Sequence, residues 1–211
     1  MLLLLFQKWK AINGSIYKGE FKDDKLSGKG IYLSKNRSVY EGDFKSNLYD
    51  EKGKFYLRND DIYIGDFKER LCDGQGKILM KNGDIYEGDF CKDIIEGRGV
   101  YYNIDGNKYE EEFKQGKKEG RGKLIFNNGN KYGGDFKNDL FEGRGIFYCI
   151  NGTKYDGEFK NGQRNGKGII YYYNGDRLEC YFKDGFVIGK GIYYSNSGLI
   201  EIVNYENNES I

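Results

Sequence analysis

A five-residue pattern, Tyr86-Glu87-Gly88-Asp89-Phe90, returns along the chain at one fixed interval of twenty-three positions, with no insertion. The tyrosine position is held by Tyr17, Tyr40, Tyr63, Tyr86, Tyr109, Tyr132 and Tyr155, and then by Leu178. Four residues on stand Phe21, Phe44, Phe67, Phe90, Phe113, Phe136, Phe159 and Phe182. A glycine follows eleven residues after the tyrosine in every copy but the second, which has Glu51. Another glycine, from Gly30 to Gly191, comes two residues later and is never missing. An unbroken period of this length means one supersecondary unit stacked on copies of itself.

Each unit has four parts. Tyr-x-Gly-x-Phe-Lys, as in Tyr155 to Lys160, alternates apolar residues and glycine with acids, the period of a half-buried strand. A polar loop of four or five residues, such as Asn161 to Asn165, is expected next. A second strand then opens on Gly-Lys/Arg-Gly, as in Gly166 to Tyr172. An Asn-Gly or Asp-Gly pair ends the unit at Asn82, Asp105, Asn128, Asn151 and Asn174, a strong hairpin signal. Asn36-Arg37 and Asn59-Asp60 lack the glycine and should turn less well. A helix is excluded because glycine recurs inside every apolar segment, at about 1 kcal/mol each.

Parity selects the turn. If the rings and glycines of both strands are to share a face, the Asn-Gly connection must be a three-residue loop with glycine at the left-handed bulge position. Each second-strand ring then opposes the next tyrosine. The glycines would let rings lie flat over the backbone and form the core of a single-layer sheet, with identical rings of adjacent units stacked in ladders. The fold class expected is all-β: an elongated, single-layer antiparallel β-hairpin solenoid. At two strands per unit it would rise roughly 10 Å per repeat.

Composition narrows the function. Thirty-four basic and 33 acidic residues leave a net charge of +1, which argues against a protein built for nucleic acid. There is no histidine, so neither a Ser–His–Asp triad nor a His-based metal site can be drawn. Cys72, Cys91, Cys149 and Cys180 fall in four different columns and read as free thiols of a reducing cytosol. Glu110-Glu111-Glu112 reads as a solvated face. The glycines precede no helix and so form no phosphate loop. No catalytic, cofactor or metal residues, and no small-molecule substrate, are expected.

The ends are weaker copies. Trp9 aligns with Tyr32 and Asn13-Gly14 with Asn82-Gly83, so residues 1–16 read as a truncated half-repeat and cap. The apolar run Met1 to Phe6 is too short for a membrane helix. Residues 17–199 hold eight repeats, and residues 200–211 a degenerate half-repeat and tail.

These motifs resemble the MORN (membrane occupation and recognition nexus) repeat, close to Y-E-G-E-F-x-x-G-x-x-x-G-x-G, almost continuously from Tyr17 to Gly191. The departures are Glu111 in a first-strand glycine column, Glu51 in a second-strand one, and Gly133 in place of an acid; the second repeat should be locally irregular. The resemblance implies a twisted strip of hairpins, often a scaffold at membranes, cytoskeletal structures or cilia. Some relatives are appendages of lipid kinases or methyltransferases, but no such catalytic segment is present.

The expected function is a non-catalytic, cytoplasmic scaffold for protein–protein interaction or self-association, at a membrane or cytoskeletal structure. The alternatives are a peripheral module for anionic phospholipid (a phosphoinositide or phosphatidic acid) and the targeting region of a larger enzyme. The partner-binding residues expected are Tyr102, Ile146, Tyr148, Ile169, Tyr171, Ile192 and Tyr194, an outward apolar stripe. Lipid would fall to Arg98, Arg121, Arg144, Lys137, Lys160 and Lys167, from two basic columns. The competing reading of those columns is neutralisation by the acids from Glu20 to Glu158.

Overall fold

The computed structural model describes residues 7–206 and 208–210. The Met1 to Phe6 run, and Asn207 and Ile211 of the expected tail, lie outside the described residues. Among the described residues there are strands and turns and no helix. The chain divides into two compact units, Met1–Ile104 and Asp105–Ile211.

The first unit contains β1 (Gln7–Lys10), β2 (Ile16–Lys22), β3 (Lys25–Leu33), β4 (Val39–Lys45), β5 (Leu48–Tyr56), β6 (Ile62–Lys68), β7 (Leu71–Leu79), β8 (Ile85–Cys91) and β9 (Ile94–Tyr102). The second contains β10 (Lys108–Lys114), β11 (Lys117–Ile125), β12 (Lys131–Lys137), β13 (Leu140–Tyr148), β14 (Lys154–Lys160), β15 (Gln163–Tyr171), β16 (Arg177–Lys183), β17 (Phe186–Tyr194), β18 (Ile200–Glu206) and β19 (Glu209–Ser210). Within each unit every strand pairs antiparallel with the next in sequence. The hairpin solenoid expected from the repeat is therefore present in both.

The Asn-Gly connections are three-residue loops. Phe126 N–H donates to Asn130 O and Gly129 N–H to Phe126 O, both at 2.9 Å, with Gly129 at φ +87°. Asn128 Oδ1 accepts the N–H of Asn130 at 3.0 Å, which is why asparagine precedes the glycine. Parity is kept: Leu124 faces Tyr132 and Gly122 faces Gly134. The two repeats without glycine turn in the same way. Arg37 and Asp60 take the left-handed position at φ +72° and +69°, so the deficit is strain rather than a different loop.

The other connection corrects the expectation. Asn161 to Asn165 is not a loop. Only Asn161-Gly162 turns, both at positive φ as in a type I′ hairpin, and β15 already begins at Gln163. A bulge breaks the alternation: Gly157 faces Gly168 but Phe159 faces Arg164, so three residues of β15 oppose Glu158 alone. Gly166, at φ +82°, sits in that bulge. A Cβ on the equivalent Gly143 would come within 2.7 Å of the Asp135 carboxylate, so the glycine eleven residues after each tyrosine serves backbone conformation rather than ring packing. Glu51 adopts φ +53° there, and the second repeat keeps the common register instead of becoming irregular.

The ring-bearing face is the core. The seven tyrosines of the repeat are 0–5% exposed. Their rings lie over the paired glycines of the two strands: a Cβ on Gly99, which faces Gly88, would sit 2.5 Å from both Oη and Cε2 of Tyr86. Each hydroxyl donates to the carbonyl at the bulge, as Tyr132 does to Asp135 O at 2.9 Å, so a buried polar group is satisfied. Rings alternate rather than stacking like on like. Tyr132 meets Phe136 and Phe159 edge-on at 5.1 Å each, and the same Tyr–Phe pairs recur through both units. The open face of the tyrosine is covered from nine residues on, by Phe141 stacked on Tyr132 at 3.8 Å or by the Arg164 guanidinium 5.6 Å from Tyr155. In the eighth repeat Leu178 and Cys180 replace tyrosine and glycine together, and both are buried. The shorter leucine leaves room for the cysteine side chain.

Candidate functional site

With the rings on one face, all the sequence-selected residues lie on the other. In β13, Gly145 and Phe147 face the core-side Gly157 and Tyr155, so Arg144, Ile146 and Tyr148 point outward, opposite Glu158, Asp156 and Lys154. The next repeat sets Lys167, Ile169 and Tyr171 opposite Tyr181, Glu179 and Arg177. The last sets Lys190, Ile192 and Tyr194 opposite Asn204, Ile202 and Ile200. The second unit therefore brings together six of the seven expected partner-binding residues on one face; Tyr102 belongs to the first unit, on β9. Tyr148 and Tyr102 are 46% and 42% exposed and Ile192 38%, whereas Ile146, Ile169, Tyr171 and Tyr194 are half-buried. Two of the rings carry a cation: Lys154 Nζ lies 4.0 Å from the Tyr171 centroid and the Arg177 guanidinium 4.1 Å from that of Tyr194.

This face is concave over the paired glycines. Their Cβ positions point to the core rings, so on this face their backbone forms the floor of a trough crossing the strands, between the outward side chains on either side. In the first unit the trough has a volume of 820 Å³, with Lys29, Lys52 and Gln75 on one wall and Ile64 among charged residues on the other. In the second unit two stretches lie among the described residues. One, of 440 Å³, runs over Gly122, Gly134 and Gly145, and the other, of 470 Å³, over Gly157, Gly168 and Cys180.

The basic column along one wall is neutralised in part, by a partner the sequence does not place beside it. Three of its cations meet the acid of the following repeat: Lys29 lies 2.6 Å from Asp43, Lys52 2.5 Å from Asp66, and Arg121 3.5 Å from Asp135. Of the residues expected to meet lipid, Arg121, Arg144, Lys137, Lys160 and Lys167 share the outward face of the second unit and are exposed; Arg98 is exposed in the first. Lys137 and Lys160 stand at the ends of β12 and β14, beside the type I′ turns and apart from the trough.

Two columns escape the sequence reading. One stands two residues before each tyrosine and ties consecutive loops together: Asp61 Oδ1 accepts the N–H of Lys81, Asp84 Oδ1 that of Ile104 and Asp176 Oδ1 that of Asn196, at 2.7–2.8 Å. Tyr101 and Tyr193 donate to Asp84 and Asp176 and hold both carboxyls below the usual carboxylate range. Its occupants are visible in the sequence only as polar residues beside a turn. The other is the column nine residues after the tyrosine, whose side chains cover the core rings. Among the described residues no group of three or more Cys, Asp or Glu is placed to hold a metal ion. The four cysteines are free thiols, and burial pushes Cys180 up to about 11. Among the described residues no helix is long and apolar enough to cross a membrane.

Solved structures share the fold, two of them forms of one domain. The TCP10 domain of Danio rerio CPAP has a TM-score of 0.57 at 12% identity, over 97% of this chain and 97% of that one. The same domain in complex with a peptide of Danio rerio STIL has a TM-score of 0.56 at 13% identity, over the same shares. No curated protein matches the sequence significantly. The family model for the MORN repeat matches seven times, at residues 17–39, 40–62, 63–85, 86–108, 112–131, 132–154 and 155–177, and the chain belongs to the MORN-repeat family.

Proposed function

We propose that this chain is a protein-interaction scaffold, without a catalytic step of its own, whose outward sheet face receives a polypeptide or a second copy. The observation that carries the reading is the face itself. Six apolar or aromatic side chains, Ile146, Tyr148, Ile169, Tyr171, Ile192 and Tyr194, stand in two rows beside a trough floored by glycine. Monomeric proteins rarely leave apolar patches beyond about 300–600 Å² uncovered. The STIL peptide on the CPAP domain supports the reading, since a protein of the same fold takes a polypeptide. Placement at a membrane or cytoskeletal structure would be conferred by the partner.

The test is the triple variant Tyr148→Ser, Tyr171→Ser and Tyr194→Ser. The expected product is folded by circular dichroism and has lost the self-association, or the capture of partner proteins, that the wild type shows. A wild type that is monomeric at tens of micromolar, with a triple variant capturing the same partners, would refute the stripe as an interface.

Contact with anionic phospholipid is the second reading, and the exposed Arg144, Lys160 and Lys167 favour it. Basic groups near a charged surface contribute about 1 kcal/mol each. Sedimentation with phosphatidylserine vesicles at two salt concentrations tests it. The pairing of Lys29, Lys52 and Arg121 with carboxylates weighs against it in the other repeats.

A further inference from the structure

The acid column that neutralises the trough's basic wall stops before the basic column does. Arg144 faces Glu158, but Lys167 faces Tyr181 and Lys190 faces Asn204. Both lysines are exposed, and among the described residues neither has a carboxylate within ion-pair distance. Lys167 Nζ instead lies 5.7 Å from the Tyr181 ring centroid. The carboxylates that do line this stretch are otherwise placed. Glu158 lies over Gly166, Glu179 pairs with Arg177 at 3.3 Å, and Asp156 faces Ile146 and Ile169 on the far wall. Across the glycine floor from Arg144, Lys167 and Lys190 stand Ile146, Ile169 and Ile192. One wall carries a cation and the other an isoleucine, once per repeat, with Asp156 and the Arg177-paired Glu179 standing between successive isoleucines.

The spacing of that repeat selects the ligand's conformation. Equivalent residues two strands apart are separated by about 9.6 Å. Three residues of polyproline II span about 9.3 Å and make one full turn. A ligand in that conformation returns the same side chain to the same wall at each repeat. An α-helix covers the distance in roughly 6.4 residues, close to 1.8 turns, and so presents a different face each time. A bilayer would meet Lys160 and Lys183 as readily as the trough lysines and would leave the floor empty.

We propose that the trough between Lys167–Lys190 and Ile169–Ile192 docks an extended segment of a partner protein that carries a carboxylate at every third residue and an aliphatic side chain between. The acid faces Lys167 and Lys190 in successive repeats, the aliphatic residue faces the isoleucines, and the third position faces solvent. This rests on the interaction reading above and gives it a ligand chemistry.

The test uses fluorescence anisotropy with the full chain and two labelled synthetic peptides. One has about four Glu-Val-Pro triplets; the other has the same composition with its glutamates grouped at one end. The periodic peptide should bind about tenfold more tightly than the grouped one. The double variant Lys167→Glu and Lys190→Glu should remove that preference, whereas Lys68→Glu, outside the trough, should leave it. Equal affinity for both peptides overturns the proposal, as does a preference that survives the double variant. Binding of phosphatidylserine vesicles, but of neither peptide, overturns it in favour of a membrane. If both peptides bind equally and the triple tyrosine variant abolishes both, the charge register is wrong and the interaction reading stands.

Discussion

Glu111 offers a direct test of why the fold needs glycine. It occupies the column two residues after the tyrosine, where Gly19, Gly42, Gly65, Gly88, Gly134 and Gly157 stand in the other repeats with tyrosine at their head. At those glycines a Cβ would have no room: on Gly134 it would lie 2.5 Å from the Gly145 Cα and 2.6 Å from Tyr132 Oη. Glu111 keeps the register, facing Gly122, but its backbone is rotated to φ +119° and its side chain is exposed. Only glycine visits that region readily, and an L-residue held there costs about 1–3 kcal/mol. Glu111→Gly removes the strain and adds back roughly 0.5–1 kcal/mol of unfolded-chain freedom. The expected gain is about 1–2 kcal/mol, or a rise in Tm on the order of 2–8 °C. Calorimetry together with a urea melt followed by circular dichroism would read it. Glu111→Ala is the control. It removes the charge beside Glu110 and Glu112 but keeps the Cβ, and should shift stability by less than about 0.5 kcal/mol. If alanine gains as much as glycine, charge repulsion is the source of the strain; if glycine gains nothing, the reasoning about the column fails.

Arg37→Gly and Asp60→Gly should each stabilise by roughly 1 kcal/mol, because both residues hold the left-handed loop position; unchanged urea midpoints would contradict this. Burial raises every tyrosine of the repeat, Tyr17 to about 12, above the ordinary value of 10.0. The neutral form is therefore favoured in the fold. The stability it lends is complete below pH about 10 and is lost as the pH rises through the folded values. Tyrosinate absorbance should lag a free-tyrosine titration and then rise together with loss of strand signal. Leu178→Tyr and Cys180→Gly should be coupled. Tyrosine alone collides with the Cys180 side chain and destabilises by about 1–3 kcal/mol, while the double variant recovers most of that. Additive effects would contradict the paired replacement.

The legible part of the fold was the part written in one residue type per column. The phenylalanine and second-strand glycine recur unchanged and the tyrosine in seven of eight copies, and the Asn-Gly pair specified its loop through parity. The type I′ connection was obscured because the bulge at Gly166 breaks the alternation, and a strand interrupted by glycine and polar residues looks like a loop. The cover over the tyrosine rings was hidden for a different reason. Leu26, Tyr49, Cys72, Ile95, Lys118, Phe141, Arg164 and Val187 share a position but no chemistry, since apolar and cationic side chains alike can lie on a ring. The outward face was found because period-two alternation separates Tyr148 from Phe147. Its electrostatics were not, because the acid that Arg121 meets, Asp135, belongs to the next repeat. The glycine pairs also have two consequences. Their missing side chains admit the core rings on one side, and their backbone floors the trough on the other, which only the pairing of strands reveals.

Pairing confined to neighbours bears on how such a chain forms and how it changes. Even the wide pairings, such as Ile16 with Leu33, close less than one repeat of chain, and no strand in either unit waits for a distant one. For a protein made wholly of strands the loop-closure cost is then small, and folding should run closer to that of helical domains than to that of sandwiches. Each type I′ turn and each three-residue loop encodes its own hairpin, so a nucleus can form at any repeat and spread in both directions. Removal or duplication of one whole repeat leaves every tyrosine between its own phenylalanine and the next. Lineages can lengthen or shorten such a protein in whole repeats without disturbing the core, which leaves the side chains of the outward face free to vary repeat by repeat.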